Sequence, residues 1–214
     1  MEGILKYTHL IWDFNGTILD DVEIGIESAN VLLGRRGLPL MGSREEYQRL
    51  FRFPIIEYYK DVGFDFEKES FDDVAVEWVN EYLARMPYAT VYDGVRETIA
   101  QVREMGVPQI LLSATKLEML KKQVEDLGLL SQFSEIYGLD NIHATGKKAL
   151  AERLRAKHPE GKFLFVGDTD HDLEVANAAG ADCIVFAGGH QTREHLEKLG
   201  CPVIEKTSDI LLYL

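Results

Sequence analysis

The sequence predicts an α/β protein: a parallel-sheet, Rossmann-like core interrupted by an inserted helical cap. Three observations lead there. The apolar run Leu10-Ile11-Trp12 leads straight into Asp13, as a buried strand delivers a polar residue to its C-terminal end. The following segment has apolar residues at helical spacing and no buried-strand run. From Tyr88 onward, strand-like runs alternate with helical ones, which calls for parallel pairing with crossover helices. The core is therefore assigned to residues 1–20 and 88–214, and the cap to 21–87, with junctions near Asp20 and Tyr88–Tyr92.

Taken in order, the first strand spans Thr8–Phe14, and Asn15-Gly16 is a strong turn signal. Val22, Ile26, Ala29 and Leu33 mark the first cap helix, ended by Gly34, Gly37 and Pro39. Ser43 with Glu46 reads as the capping box of a second helix, and Pro54 opens a third that runs to about Asp61. Ser70 caps a fourth, with Phe71, Val74, Trp78, Tyr82 and Met86 on its apolar face and Pro87 at its end. In the core, Val95, Ile99 and Val102 mark a helix. A strand follows at Val107–Ser113, then a helix through Leu117, Leu120, Val124 and Leu127 that Gly128 closes. A short strand at Glu135–Leu139, a helix at Lys147–Lys157 and a buried strand at Lys162–Val166 come next. Leu173, Ala176 and Ala179 mark a helix, Asp182–Phe186 a strand and Thr192–Leu199 a helix. Pro202–Ile204 is an edge strand, and Ser208–Leu214 a terminal helical turn or two.

Composition narrows the function. The chain has 214 residues, 46% hydrophobic and 28% charged, with a formal net charge of −13. That sign opposes a nucleic-acid backbone as the main partner, while a local site can still take a small phosphorylated molecule. No apolar run is long enough for a membrane span, and Met1-Glu2-Gly3-Ile4-Leu5-Lys6 lacks the apolar stretch of a secretory leader. Cytoplasmic location, a monomer or homodimer, and reduced, structural Cys183 and Cys201 are the expectations.

The stretch Asp13-Phe14-Asn15-Gly16-Thr17 resembles the nucleophile motif of the haloacid dehalogenase-like hydrolase superfamily, Asp-x-Asp-Gly-Thr, with Asn15 in place of the second aspartate. Three further places match in the family's order: Ser113 with Ala114 after the second core strand, Lys147 in Thr145-Gly146-Lys147-Lys148, and Gly167-Asp168-Thr169-Asp170-His171-Asp172 after a strand. The resemblance extends from Thr8 to about Phe186, and within the superfamily it is nearest to phosphoglycolate phosphatase-like members.

The resemblance implies a role for each matched residue. Asp13 is the nucleophile that forms an aspartyl-phosphate. Gly16 permits the tight bend and Thr17 fixes the loop. Ser113 and the backbone at Ala114, opening the next helix, bind the phosphoryl group. Lys147, which follows Gly146 directly and would lie in the first helical turn, stabilises negative charge in preference to Lys148. Mg²⁺ is the implied cofactor, held by Asp13, the main-chain carbonyl of Asn15, Asp168 and Asp172, the last either through water or by holding Lys147. Asp170 is read as a helix cap. His171 and His143 are read as packing or surface residues, and His190, on the Gly188-Gly189 loop, as one that could reach a substrate.

Asn15 removes the group that, in the family, protonates the leaving oxygen and activates water, because an amide carries no titrating proton. General acid–base help is worth roughly 10²–10⁴ in rate. The expected function is a Mg²⁺-dependent phosphatase of a small phosphorylated metabolite. It would act on good leaving groups or draw on Asp20 or Asp21 as a replacement acid. The alternatives are a weakened protein that binds a phosphorylated ligand and one that forms a long-lived aspartyl-phosphate. A dehalogenase is disfavoured because the carboxylates near Asp168 call for a metal. A phosphonatase is disfavoured because Lys60 and Lys68 in the cap lack its lysine motif. Asn15-Gly16 is also a deamidation-prone pair, and conversion to aspartate would rebuild the usual motif.

Overall fold

The computed structural model describes residues 5–140 and 146–214; Met1–Ile4, His143 and Thr145, named above, lie outside these. Six strands form one parallel sheet: β1 (His9–Trp12), β4 (Gln109–Lys116), β5 (Glu135–Leu139), β6 (Phe163–Gly167), β7 (Asp182–Phe186) and β8 (Val203–Ile204). Their order is β5-β4-β1-β6-β7-β8. The chain therefore builds outward from β1 in one direction and then returns to its other side. That reversal places the switch point of the sheet at the C-terminal end of β1, where open α/β sheets bind ligands.

Alternation along the strands splits the core into two layers. Leu10, Trp12, Leu111, Leu164, Val166 and Ile184 face α5 (Val95–Glu104) and α6 (Leu117–Asp126). Ile11, Ile110, Leu112, Phe165, Cys183 and Val185 face α7 (Gly146–Lys157) and α8 (Asp170–Ala179). The buried Trp12 indole N–H donates to Gln109 Oε1 at 2.9 Å, and the Gln109 amide donates to the Ile99 carbonyl. This polar link inside the first layer leaves no orphaned group on either side chain's donor.

Four helices, α1 (Val22–Arg35), α2 (Arg44–Leu50), α3 (Ile55–Asp61) and α4 (Phe71–Arg85), follow β1 and have an apolar core of their own, built on Val22, Ile26, Leu33, Tyr47, Tyr58, Phe64 and Val74. Ser43 and Ser70 cap α2 and α4 as their positions suggest. A feature with no sequence signal frames this block. The strands β2 (Leu19–Asp20) and β3 (Thr90–Val91) pair antiparallel, Leu19 with Val91, so entry and exit of the helical segment share one ribbon. Two residues per strand are too few to show a period.

Other boundaries shift by small amounts. The Thr192–Leu199 helix is a single α turn, α9 (Arg193–Leu196), continued by a 3₁₀ turn to Leu199, and the chain ends in a 3₁₀ helix at Thr207–Leu212. The largest correction concerns β4. It runs on to Lys116, and α6 starts only at Leu117. Ala114 is therefore an exposed strand residue, and no helix N-terminus opens directly behind Ser113. Thr115 continues the extended run, which β5 prolongs by pairing Leu139 with Lys116 beyond a register shift.

Candidate active site

The switch point gathers the motif residues because β1, β4 and β6 are neighbours. The Asp13 N–H donates to the Val166 carbonyl at 2.8 Å, fixing the carboxylate just past the sheet. The chain then folds back on itself: the Phe14 carbonyl accepts from Ile18 and Leu19, and Gly16 takes φ +74°. A side chain at Gly16 would be strained, and it would also strike the Asp168 carboxylate and the His190 ring, 2.5 Å from its Cβ position. Gly189 faces the same carboxylate with equally little room. These two glycines let Asp168 and the loop carrying His190 close onto the nucleophile loop.

Asp13, Asp168 and Asp172 are all buried, and one carboxylate oxygen from each lies within 4.8 Å of the others. The buried Lys147 ammonium bridges two of them, bonded to Asp13 Oδ1 and 2.5 Å from Asp172 Oδ1. Lys148 lies outside the cluster, half exposed and paired with Glu174. Thr17 donates to Asp168 Oδ1 at 3.1 Å and sits 3.5 Å from Asp13 Oδ2. Asp172 Oδ2 accepts from the Asp168 and Thr169 N–H groups and the Thr169 hydroxyl, forming the capping box of α8. Both Asp172 oxygens are thus engaged by protein donors.

The charges are unbalanced in a way that suits a cation. Burial, then repulsion from Asp172 and Asp168, pushes the Asp13 carboxyl up to about 8 against the pull of Lys147. Burial likewise raises Asp168 to about 6. Asp172 is held below the usual range because Lys147 and its three other donors outweigh burial. Burial alone would lower Lys147, but Asp13 and Asp172 raise it above the ordinary lysine range. Two carboxyls that resist ionisation beside a third are an oxygen donor set of the kind hard divalent cations take.

Asn15 occupies a second, interlocked network. Its amide nitrogen donates to Asp21 Oδ2 at 2.9 Å and to the Tyr82 hydroxyl at 2.8 Å, and its Oδ1 accepts from Thr115 at 3.0 Å. Tyr82 donates to the same Asp21 oxygen at 2.6 Å, and the Gly16 N–H donates to Asp21 Oδ1 at 2.8 Å. His190 Nε2 lies 3.5 Å from Asp21 Oδ1. Burial opposes charge on Asp21, yet His190, Tyr82 and Asn15 together hold its carboxyl below the usual range. Burial opposes charge on His190 too, but Asp21, Asp168 and Asp13 hold it up at about 9, so the ring is cationic at neutral pH.

The structure thus separates the two aspartates considered as substitutes for the missing acid. Asp21 reaches Asn15 as a fixed carboxylate. Asp20 is one-third exposed and faces Arg44. Ser113 is buried and reaches the site indirectly: its Oγ accepts from the Thr115 N–H, and Thr115 in turn holds Asn15.

The helical block closes over this arrangement through α2. Arg44 and Tyr92 both donate to the Gly188 carbonyl, at 2.5 and 2.9 Å, and Gln48 donates to the Gly189 carbonyl at 2.6 Å. The Tyr47 hydroxyl meets His190 Nδ1 at 2.8 Å, and Phe51 stacks on the His190 ring at 4.9 Å. The His190 N–H donates to Asp168 Oδ2 at 2.7 Å, tying the docked loop to the carboxylate cluster. His171, by contrast, lies against Phe53 and Glu174 at the rim. Tyr82, Tyr47, Arg44 and Gln48 had no sequence signal as site residues, because on a helix they look like ordinary core or surface positions.

A family model described as haloacid dehalogenase-like hydrolase matches residues 10–186. The chain belongs to that family. This hydrolase is 23% identical over 189 residues to the phosphoglycolate phosphatase of Pseudomonas syringae pv. syringae, covering 85% of this chain and 70% of that protein. It is 24% identical over 206 residues to the tyrosine-protein kinase PtkA of Mycobacterium tuberculosis, covering 94% of this chain and 69% of that protein. Among solved structures, a haloacid dehalogenase-like family hydrolase from Streptococcus pneumoniae superposes with a TM-score of 0.82 at 16% identity, covering 97% and 98% of the two chains. That likeness extends through the helical block, so the relation in fold is to the whole architecture.

Proposed function

We propose that this hydrolase is a Mg²⁺-dependent phosphatase acting on a small phosphorylated metabolite through an aspartyl-phosphate on Asp13. The observation that carries the reading is the buried Asp13 carboxylate at the switch point, bridged by Lys147 to Asp172 and adjoining Asp168. The phosphoglycolate phosphatase relatives support the reaction class.

An Asp13 oxygen attacks phosphorus, the P–O ester bond breaks, and the leaving oxygen departs with the bonding pair. Lys147 neutralises charge on Asp13 and the phosphoryl oxygens, while Asp172 keeps Lys147 in place. Thr17 holds the orientation of Asp168. Asp13, Asp168 and the Asn15 main-chain carbonyl would hold the cation, and Asp172, with both oxygens engaged, serves Lys147 instead. The cation supplies charge neutralisation to the phosphoryl oxygens when bound. Hydrolysis of the acyl phosphate by water completes the turnover.

Asn15 cannot deliver a proton to the leaving oxygen, and Asp21 beside it is held as a carboxylate. The preferred substrates are therefore those whose leaving group departs without a proton, acyl phosphates before alkyl esters. Phosphate release from acetyl phosphate and from a panel of alkyl monoesters, with Mg²⁺ or with chelator, tests this. Mg²⁺-dependent release that disappears in Asp13→Ala supports the reading, and release that survives Asp13→Ala sinks it.

One observation favours a second reading, a binding protein for a phosphorylated ligand: every polar atom of the Asn15 amide is engaged by Asp21, Tyr82 and Thr115. Binding of inorganic phosphate and Mg²⁺ without turnover on any of these substrates would select it.

A further inference from the structure

The two cysteines lie on the second core layer, Cys183 on β7 and Cys201 just before β8. β7 and β8 pair with Val185 opposite Val203 and Phe186 opposite Ile204, and the Val185 N–H donates to the Pro202 carbonyl at 2.9 Å. Two residues earlier on each chain stand Cys183 and Cys201. Cys183 lies within β7 and Cys201 in the bend that leads into β8, and both pack in the same apolar cluster as Val185 and Val203. Where β7 and β8 pair, two residues beyond the cysteines, neighbouring backbones run about 4.8 Å apart, inside the roughly 4.4–6.8 Å range of Cα separations that a disulfide bridges. Both thiols are free, and the Cys183 thiol donates to the Ile184 carbonyl at 3.7 Å. Cys183 is buried, and Cys201 is half-buried at the sheet edge, where a small oxidant can reach it.

We propose that Cys183 and Cys201 form a reversible redox site, in which hydrogen peroxide oxidises Cys201 and Cys183 resolves the product to a disulfide that ties the edge strand to β7. In the first step the Cys201 sulfur attacks a peroxide oxygen. The S–O bond forms, the O–O bond breaks, and the departing hydroxide leaves as water with the thiol proton. In the second step the Cys183 sulfur attacks the sulfenic sulfur, the S–O bond breaks, and a second water leaves with the Cys183 proton. The two thiols lose two electrons and the peroxide gains them. A small dithiol reductant reverses the link by exchange.

The assignment of roles follows from the surroundings. The neighbouring Cys183 thiol draws Cys201 down to about 7, so a share of it is thiolate at neutral pH, the nucleophilic form. The Cys201 sulfur beside it and burial push Cys183 far up, which suits a thiol that waits for an activated partner. The bridge would close the segment 183–201, which contains the Gly188–His190 loop that α2 docks on.

Intact-mass and peptide mapping after a graded hydrogen peroxide treatment test the site. The expected result is a loss of about 2 Da, a linked Cys183–Cys201 peptide, a higher Tm, and reversal of all three by dithiothreitol. In Cys183→Ser, Cys201 is expected to gain about 16 Da or its multiples instead. In Cys201→Ser, Cys183 stays alkylatable after unfolding. Wild-type protein that carries added oxygen on Cys201 while Cys183 stays a thiol overturns the proposal, as does cross-linking between molecules through Cys201. The linked peptide is read on wild type alone, so a variant that fails to fold leaves the test intact.

Discussion

Replacing Asn15 by aspartate restores the family's usual motif on paper, yet the structure predicts that the single change is damaging. The new carboxylate would stand where the amide nitrogen now lies, 2.9 Å from Asp21 Oδ2. Two unit charges at about that distance repel by roughly 6 kcal/mol at an effective dielectric of about 20, equivalent to about 4 pH units. The pair avoids this by keeping a proton. Holding a carboxyl of ordinary pKa near 4 protonated at pH 7 takes about 4 kcal/mol, a large share of a typical folding free energy of about 5–15 kcal/mol. The His190 cation is already shared between Asp21 and Asp168 and offers only partial relief. Asn15→Asp is thus expected to lower Tm by roughly 10 °C. Asn15→Asp with Asp21→Asn, which swaps carboxylate and amide across the same hydrogen bond, is expected to recover most of that loss. The double variant, rather than Asn15→Asp alone, should show any gain on alkyl phosphate esters. The assay is a double-mutant cycle in thermal unfolding, run beside phosphate release. A single variant that melts within about 2 °C of wild type, with no coupling to Asp21, would refute the reasoning.

Lys147→Met leaves the buried Asp13 and Asp172 carboxyls without their cation, so activity should vanish and stability should fall by about 3–5 kcal/mol, read by chemical denaturation with chelator present. Glu135 is the clearest acid-sensitive support of the fold. Lys157, Tyr137 and His158 outweigh burial and hold its carboxyl at about 2, against an ordinary 4.5. Because the folded value is depressed, its stabilisation is complete above about pH 4.5 and fades as pH falls through about 2. Glu135→Gln should lose up to about 3 kcal/mol at pH 7 and converge with wild type near pH 2 in urea titrations. Arg44→Ala with Gln48→Ala removes the donors that α2 places on Gly188 and Gly189, so limited proteolysis should cut the helical block faster while the core resists. Asn15 should keep its amide in the native protein, because deamidation needs the Gly16 nitrogen to attack the side chain. That N–H is held by the Leu19 carbonyl and Asp21 Oδ1. Peptide mapping after long incubation should show about 1 Da added at this peptide only in unfolded samples.

The sequence by itself determined the parallel core, the helical insertion and the residues at its strand ends. Asp13 and Asp168 could be placed at the ligand edge of the sheet because a buried parallel strand announces itself as an apolar run and the polar residue just past the run sits there, whereas Thr17 and Ser113 were singled out by the motif resemblance. Lys147 was readable only through its order in a resemblance, and its bridge from Asp13 to Asp172 is a tertiary fact. The tertiary structure alone decided the fate of Ala114, which β4 carries out to the surface, since nothing local distinguishes a strand of seven residues from one that continues to Lys116. It alone paired Asn15 with Asp21, Tyr82 and Thr115, put His190 under α2, and set Cys183 beside Cys201. These partners come from elements far apart in the chain, and each looks ordinary within its own helix, strand or loop. Periodicity reports which face of an element is buried; which residue it meets there is fixed by how the elements pack.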